Sequence, residues 1–303
     1  GGYFLHPALP NADDDFYYLN TDEDILILLS GFVYNTAELL CGKHKQGQLS
    51  TPCLIASLFI GEGPAFVERL NGDFAIFIYR PEKKEAYLYR DHLGIRPLAW
   101  SRTGEVIHFS SDINTLCKVL GEGQPADEEY LLGYFKYSDK RVTPNHNVRK
   151  LLPGHYICFS ENETKIIRFW HPEQRRLNSR LSVDQMLSEL KSLVFNAVEI
   201  RCDKRYNAGA HVSGGLDSGI VAALSRTFYK DQASFYGFSW SPKEYATDEV
   251  KYDERNLVRS ACAMAEIEPV FSEVLSDDLV SDLSGHGVSP WLFYERGTEE
   301  QAA

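Results

Sequence analysis

The six residues SGGLDS, 213–218, stand where an apolar run, AHV, gives way to a helix-like one, GIVAALSR. A turn at the carboxyl end of a parallel strand that opens straight into a helix leaves several backbone N–H groups unpaired at the positive end of the helix dipole. Such a turn suits a phosphate. Gly214 and Gly215 let the main chain approach an anion closely, and Ser213 and Ser218 bring hydroxyl donors. Asp217 is out of place beside a phosphate unless a cation lies between them, which points to Mg2+. The same letters also serve as an ordinary helix N-cap, and six residues alone leave that alternative open. The spacing is neither GxxxxGKS nor GxGxxG, so the P-loop kinase and dinucleotide readings fail.

The loop's neighbours predict the sheet it belongs to. GAHV, the helical IVAALSRTFY, SFYGFSW, the helical DERNLVRSACAMAEI and PVFSEV alternate strand and helix, the pattern of a doubly wound parallel sheet. Upstream the character differs. FAIFIY and EAYLYR, separated by PEKK, predict a hairpin; PLAW, VIHFSS, HYICF and KIIRFW continue in short strands, and PCLIASLFIGEGPAFVERL carries helical spacing. That is an α+β region. The polar stretch HPEQRRLNSRLSVD precedes a periodic helix, VDQMLSELKSLVFNAVEIRCD, and places a domain boundary near 172–182, dividing the chain into 1–175 and 176–303. No internal repeat or low-complexity tract is present.

At 303 residues, 44% hydrophobic and 24% charged, the chain is long enough for two domains with cores of their own. A formal net charge of −12 argues against a nucleic-acid surface and for small-molecule chemistry. The six cysteines form no CxxC pair, which argues against a zinc site and a disulfide framework and for a reducing, cytoplasmic compartment. No apolar run approaches the roughly 18 residues of a membrane span.

SGGLDS after an apolar strand resembles the pyrophosphate loop of the N-type ATP pyrophosphatases, which split ATP between its α and β phosphates. LNGDFAIFIYRPEKKEAYLYRDHLGIRPLAW, 70–100, resembles the N-terminal-nucleophile glutaminase domain that precedes the ATP domain in glutamine-hydrolysing asparagine synthetases. LLSGFVYNTAELL resembles that domain's glutamine-pocket strand and helix, and RKLLPGHYICF with RFWHP its closing strands. The resemblance implies an αββα first domain and the first part of an ATP pyrophosphatase domain. It implies ATP and Mg2+ as cofactors, with the nucleotide on Val212, Ser213, Gly214, Gly215, Leu216, Asp217 and Ser218, the metal at Asp217, and the adenine near Val212 and SFYGFSW. The implied chemistry is adenylation of a small-molecule or peptide carboxylate such as aspartate, followed by attack of ammonia, drawn from glutamine, or of an amine.

The glutaminase half departs from its pattern. It requires a cysteine at residue 1, whose α-amine serves as its base; this chain opens with Gly1, and the span before GFVYN is shorter than the family's by some tens of residues. Cys41 and Cys53 are read as small buried hydrophobes. Where the family carries Asn-Gly-Glu this chain reads Ser30-Gly31-Phe32, keeping the glycine N–H and losing the oxyanion-hole amide and the carboxylate that grips the substrate amine. The acid expected at the next helix aligns with Thr51. Loss of both acidic partners predicts a dead glutamine pocket. In this the chain resembles the β-lactam synthetases and lasso-peptide cyclases, where a substrate amine replaces ammonia, and SWSP, YDER and WLFYERGTEEQAA resemble the cyclase branch. The family's domain continues beyond the 303 residues and includes a second glycine-serine loop ending in Asp-Glu; SGHG, 284–287, lacks that acidic pair and is read as an ordinary turn.

Other features take plainer readings. RDHLGIRP, 90–97, is read as a structural turn in which Arg90 and Asp91 satisfy the backbone and each other. His92, His108, His155 and His211 lack metal-site spacing. Asp253, Glu254 and Arg255 open a helix, either as dipole partners or near the nucleotide. The sequence therefore predicts an AMP-forming amide ligase with a degenerate glutaminase domain, with an amidase-dead cyclase and a non-catalytic fragment as the alternatives.

Overall fold

In the computed structural model the described residues are 16–40, 49–121, 125–133, 140–161, 163–174, 181–243 and 253–272. Cys41, Gly1, the stretch 284–287 and WLFYERGTEEQAA lie outside them. The chain divides into two compact units, Gly1–Leu177 and Asn178–Ala303.

The first unit contains β1 (Tyr17–Asn20), β2 (Ile25–Val33), α1 (Thr36–Leu40), α2 (Thr51–Glu62), β3 (Gly72–Arg80), β4 (Glu85–Arg90), β5 (Ala99–Thr103), β6 (Val106–Ser110), α3 (Ile113–Leu120), α4 (Glu128–Gly133), β7 (Arg149–Lys150), β8 (His155–Phe159) and β9 (Thr164–Arg168). Six strands form one sheet in the order β1-β2-β3-β4-β8-β9, and three form another in the order β6-β5-β7. All these pairings are antiparallel.

Alternation along the strands builds the layers, because side chains one residue apart face opposite sides of a sheet. Ile25, Ile27, Phe74, Ile76, Ile78 and Tyr89 turn to one side, where α2 and the following 3-10 turn supply Leu54, Ile55, Phe59 and Phe66. Ala75, Leu88, Ile157 and Phe159 turn to the other and meet Leu98, Leu151, Trp100 and Phe109 of the second sheet and its flanks. Behind that sheet α3 packs Ile113 and Leu116 against Ala99 and Val148. The result is helix, sheet, sheet, helix. Each fully buried large apolar side chain contributes about 1.5–3 kcal/mol, so three stacked cores hold this unit.

The helix spacing in 52–70 continues less far than the sequence predicts. α2 starts on Ser50, whose Oγ accepts from the Cys53 N–H, and stops at Glu62 because Gly63 takes φ +72° and Pro64 follows. Residues Gly63–Arg69 turn as 3-10 helix instead.

The second unit contains α5 (Val183–Glu199), β10 (Ala210–His211), α6 (Leu216–Phe228), β11 (Tyr236–Pro242), α7 (Arg255–Met264) and β12 (Glu268–Ser272). Ser182 and Gln185 close a capping box at the start of α5. The strands are parallel in the order β10-β11-β12. α6 and α7 cover one face through Val212, Ala222, Phe235, Val258, Cys262 and Ile267. Among the described residues the strand order does not reverse, so they represent one winding direction of the sheet. On the opposite face Phe238 and Trp240 are exposed.

Candidate functional site

The carboxyl ends of β10 and β11 present the loop 213–218. Val212 is locked to the neighbouring strand, its N–H donating to the Phe238 carbonyl at 2.8 Å. The two loop serines then close on one another: their Oγ atoms lie 3.0 Å apart, the Ser213 N–H donates to Ser218 Oγ at 3.2 Å, and the Gly215 N–H reaches Ser213 Oγ at 3.4 Å. Gly214 takes φ +77°, and a Cβ there would stand 2.8 Å from Leu257 Cβ. Only glycine allows both the backbone shape and the approach of α7.

The cap position of α6 is Gly215, with extended dihedrals and no side-chain cap bond. Asp217 sits inside the first turn, exposed, and caps nothing in this arrangement. The amino end of a 13-residue helix is thus left with main-chain N–H groups that no side chain caps, beside two hydroxyls bonded to one another, with Ser218 Oγ also within 3.3 Å of the Gly215 carbonyl. Beside it, Asp253 is gripped by Arg255 through Nε and Nη2 and by the Arg255 N–H; the guanidinium's hydrogen bonds hold its carboxyl down at about 2. Arg255 Nη1 also donates to the Lys243 carbonyl, tying the end of β11 to the start of α7. Asp253 therefore fixes the wall of the loop. Glu254 contributes its main chain there, with its carbonyl 3.4 Å from the Gly214 Cβ position.

The other predicted site lies on β2. Ser30, Gly31 and Phe32 pair with Ala75, Phe74 and Asp73 of β3. Gly31 takes φ +105°, and a Cβ on it would stand 2.0 Å from the Asp73 carbonyl and 3.0 Å from Arg96 Nε. Phe32 is 44% exposed; its ring stacks on Tyr34 and lies 5.7 Å from the Arg96 guanidinium carbon. Thr51 is the first residue of α2, and among the described residues no hydrogen bond joins it to Ser30–Phe32.

Arg96 belongs to the RDHLGIRP turn, and the turn explains its place. Asp91 is buried and accepts three main-chain N–H bonds, from Leu93, Ile95 and Arg96, while Arg90 donates to the carbonyls of Gly94, Arg96 and Leu151. Both charges serve the backbone, and the Arg96 side chain is thereby aimed at Gly31. A signal existed in the sequence: a second arginine in RDHLGIRP exceeds what the turn's aspartate can engage.

Among the described residues no cysteine offers a substitute nucleophile. Burial pushes the Cys117, Cys158, Cys202 and Cys262 thiols up, and Cys53 is half-buried, less enclosed than the sequence reading held. Of the histidines, His92 is boxed by Phe74, Phe169 and Trp170, where burial lowers its pKa, and His211 stacks on Trp240. Among the described residues no group of three His, Cys, Asp or Glu could hold a metal.

An antiparallel αββα unit followed by a parallel unit with a glycine-serine loop at its strand ends defines a two-domain amidotransferase and ATP pyrophosphatase class. The glutamine amidotransferase domain model matches residues 16–170, just over half of the chain, and the asparagine synthase model matches 189–285. The chain belongs to the asparagine synthetase family. It is 26% identical over 251 residues to asparagine synthetase [glutamine-hydrolyzing] 2 of Bacillus subtilis, covering 78% of this chain and 33% of that protein. To putative asparagine synthetase [glutamine-hydrolyzing] 2 of Methanocaldococcus jannaschii it is 26% identical, covering 82% of this chain and 49% of the other. With asparagine synthetase [glutamine-hydrolyzing] 2 of Oryza sativa the identity is 33%, over 73% of this chain and 34% of the relative. The chain spans between a third and a half of the length of these relatives.

Proposed function

We propose that this chain is part of an ATP-dependent, AMP- and pyrophosphate-forming amide ligase that adenylates a carboxylate such as aspartate. The observation that supports this reading best is the uncapped amino end of α6, fronted by the paired hydroxyls of Ser213 and Ser218. The first-turn N–H groups and both hydroxyls would receive the β and γ phosphates of ATP. A carboxylate oxygen attacks the α phosphorus, the α–β bridging bond breaks, and pyrophosphate leaves with the charge that the loop is built to meet. Ammonia or an amine then attacks the acyl carbon, and AMP departs. Asp217 fits Mg2+, which binds through one or two carboxylates plus substrate phosphates; once bound it would neutralise charge developing on the leaving group.

In this reading the first unit does not hydrolyse glutamine. Phe32 presents an exposed aromatic ring to Arg96 where a glutaminase of the family needs a carboxylate, which favours a second reading, an amidase-dead enzyme that uses a substrate amine. AMP release from ATP, with aspartate and either glutamine or ammonia, separates these. Aspartate-dependent AMP with ammonia alone supports the first reading; equal rates with glutamine overturn the dead pocket. No AMP with either nitrogen donor, despite ATP binding at the loop, moves the assignment to another acid.

A further inference from the structure

The Arg96 side chain is charged, half-buried and, among the described residues, without an anionic partner. Its Nε is sealed from solvent and makes no hydrogen bond, and no carboxylate among the described residues lies within ion-pair distance of the guanidinium. Asp91, the adjacent acid, is occupied by three main-chain N–H groups. Asp73, opposite Phe32, turns Oδ2 to the Tyr34 hydroxyl at 2.8 Å. Partial burial of a guanidinium with no counter-charge costs free energy that a fold has no reason to retain at a mere turn. Arg96 Nε packs so close to Gly31 that a Cβ there would stand 3.0 Å from it, and the guanidinium carbon lies 5.7 Å from the centre of the Phe32 ring.

We infer that Arg96 and Phe32 form a receptor for a small organic carboxylate with a flat apolar body. The planar fork of the guanidinium matches a carboxylate through its solvent-facing nitrogens, and the exposed Phe32 ring, stacked on Tyr34, offers the apolar body a surface. The site belongs to the first unit and does not depend on the nucleotide loop.

Benzoate is the probe, titrated calorimetrically into the 303-residue chain, with benzamide as the uncharged isostere. Benzoate is expected to bind saturably and benzamide at least about tenfold more weakly, since a charge-assisted bidentate contact is lost. Arg96→Met should weaken benzoate by about tenfold or more. It should leave the fold intact, because the Asp91 bond uses the Arg96 main-chain N–H. Phe32→Glu keeps the arginine and gives it an internal partner, so it should abolish benzoate binding without lowering the thermal midpoint. Absence of benzoate binding by the unaltered chain, equal binding of benzamide, or undiminished binding by Arg96→Met or Phe32→Glu would each overturn the receptor.

Discussion

The two units carry opposite balances of scaffold and chemistry. In the first, three apolar cores are stacked through four layers, and large side chains such as Phe66, Phe74 and Tyr89 are fully enclosed. Among the described residues of the second, one cluster of six buried residues supports three strands, and Met186, Leu187 and Leu190 of α5 stand exposed. Yet the glycine-serine loop proposed to receive ATP lies in the second unit, while in the first Gly31 stands between Ser30 and Phe32, where the resemblance leads one to expect an amide and a carboxylate. Packing and chemistry respond to different constraints: Gly31 is retained by the steric demands of β3 and Arg96 whether or not a substrate binds beside it.

The sharpest test of this contrast is Asp217→Ala. If the loop works by charge and geometry alone, removing the carboxylate should weaken Mg2+-dependent ATP binding by well over tenfold, with the thermal midpoint unmoved, because Asp217 is exposed and caps nothing. Calorimetric titration of ATP with and without Mg2+ reads it. Unchanged affinity would remove the loop's claim to the metal.

Gly31→Ala makes the complementary test in the first unit. The φ of +105° and the 2.0 Å approach to the Asp73 carbonyl involve backbone on both sides, so nothing flexible can yield. A loss of more than about 3 kcal/mol in urea unfolding is expected. A loss under about 1 kcal/mol would mean that β2 can shift, and that the glycine is held by function after all.

How much of this was legible beforehand depends on the range of the interaction. The hairpin over PEKK, the α6 loop and the parallel strand order all follow from patterns within about thirty residues, and they are visible in FAIFIY, EAYLYR and SGGLDS. The stop at Glu62 was overlooked because helical spacing runs on through 70 while Gly63 and Pro64 break the backbone that carries it. Arg96 over Phe32 joins residues 64 apart in sequence, and no local pattern announces such a contact. The same holds for His211 on Trp240, brought together only by the pairing of β10 with β11.

Acid should strain the first unit at a specific joint. Asp127 is buried, caps the start of α4 by accepting from the Tyr130 N–H, and accepts from Arg149 Nη1 at 2.6 Å, with His146 Nδ1 at 3.5 Å. Burial alone would raise its pKa, but the Arg149 hydrogen bond, the Tyr130 N–H and the nearby positive charge outweigh it and leave it below the ordinary value. A carboxyl depressed in the folded state contributes stability that is complete above the unfolded pKa of about 3.9 and lost as pH falls through the lower folded value. Thermal midpoints measured from pH 6 down to pH 3 should therefore drop more steeply for the unaltered chain than for Asp127→Asn once pH passes below about 4. Parallel curves would show that Asp127 is replaceable by any cap.

The smallest effect is the most discriminating for the packing of the first unit. Tyr89 is fully buried among Phe66, Tyr87 and Tyr156, and its hydroxyl finds no hydrogen-bond partner; burial drives its pKa well above the ordinary phenol. An unsatisfied buried donor costs about 1–3 kcal/mol, so Tyr89→Phe, which keeps every ring contact, should leave stability unchanged or raise it by up to about that amount. Tyr87→Phe supplies the contrast. Its hydroxyl donates to Glu85 Oε2 at 3.1 Å, and its removal should cost about 1 kcal/mol. The two substitutions delete the same atom from neighbouring positions on one face of β4, so packing losses cancel between them and only hydrogen-bonding differs. If Tyr89→Phe instead destabilises by more than about 1 kcal/mol, the hydroxyl has a partner such as a buried water, and that layer of the core is wetter than its side chains indicate.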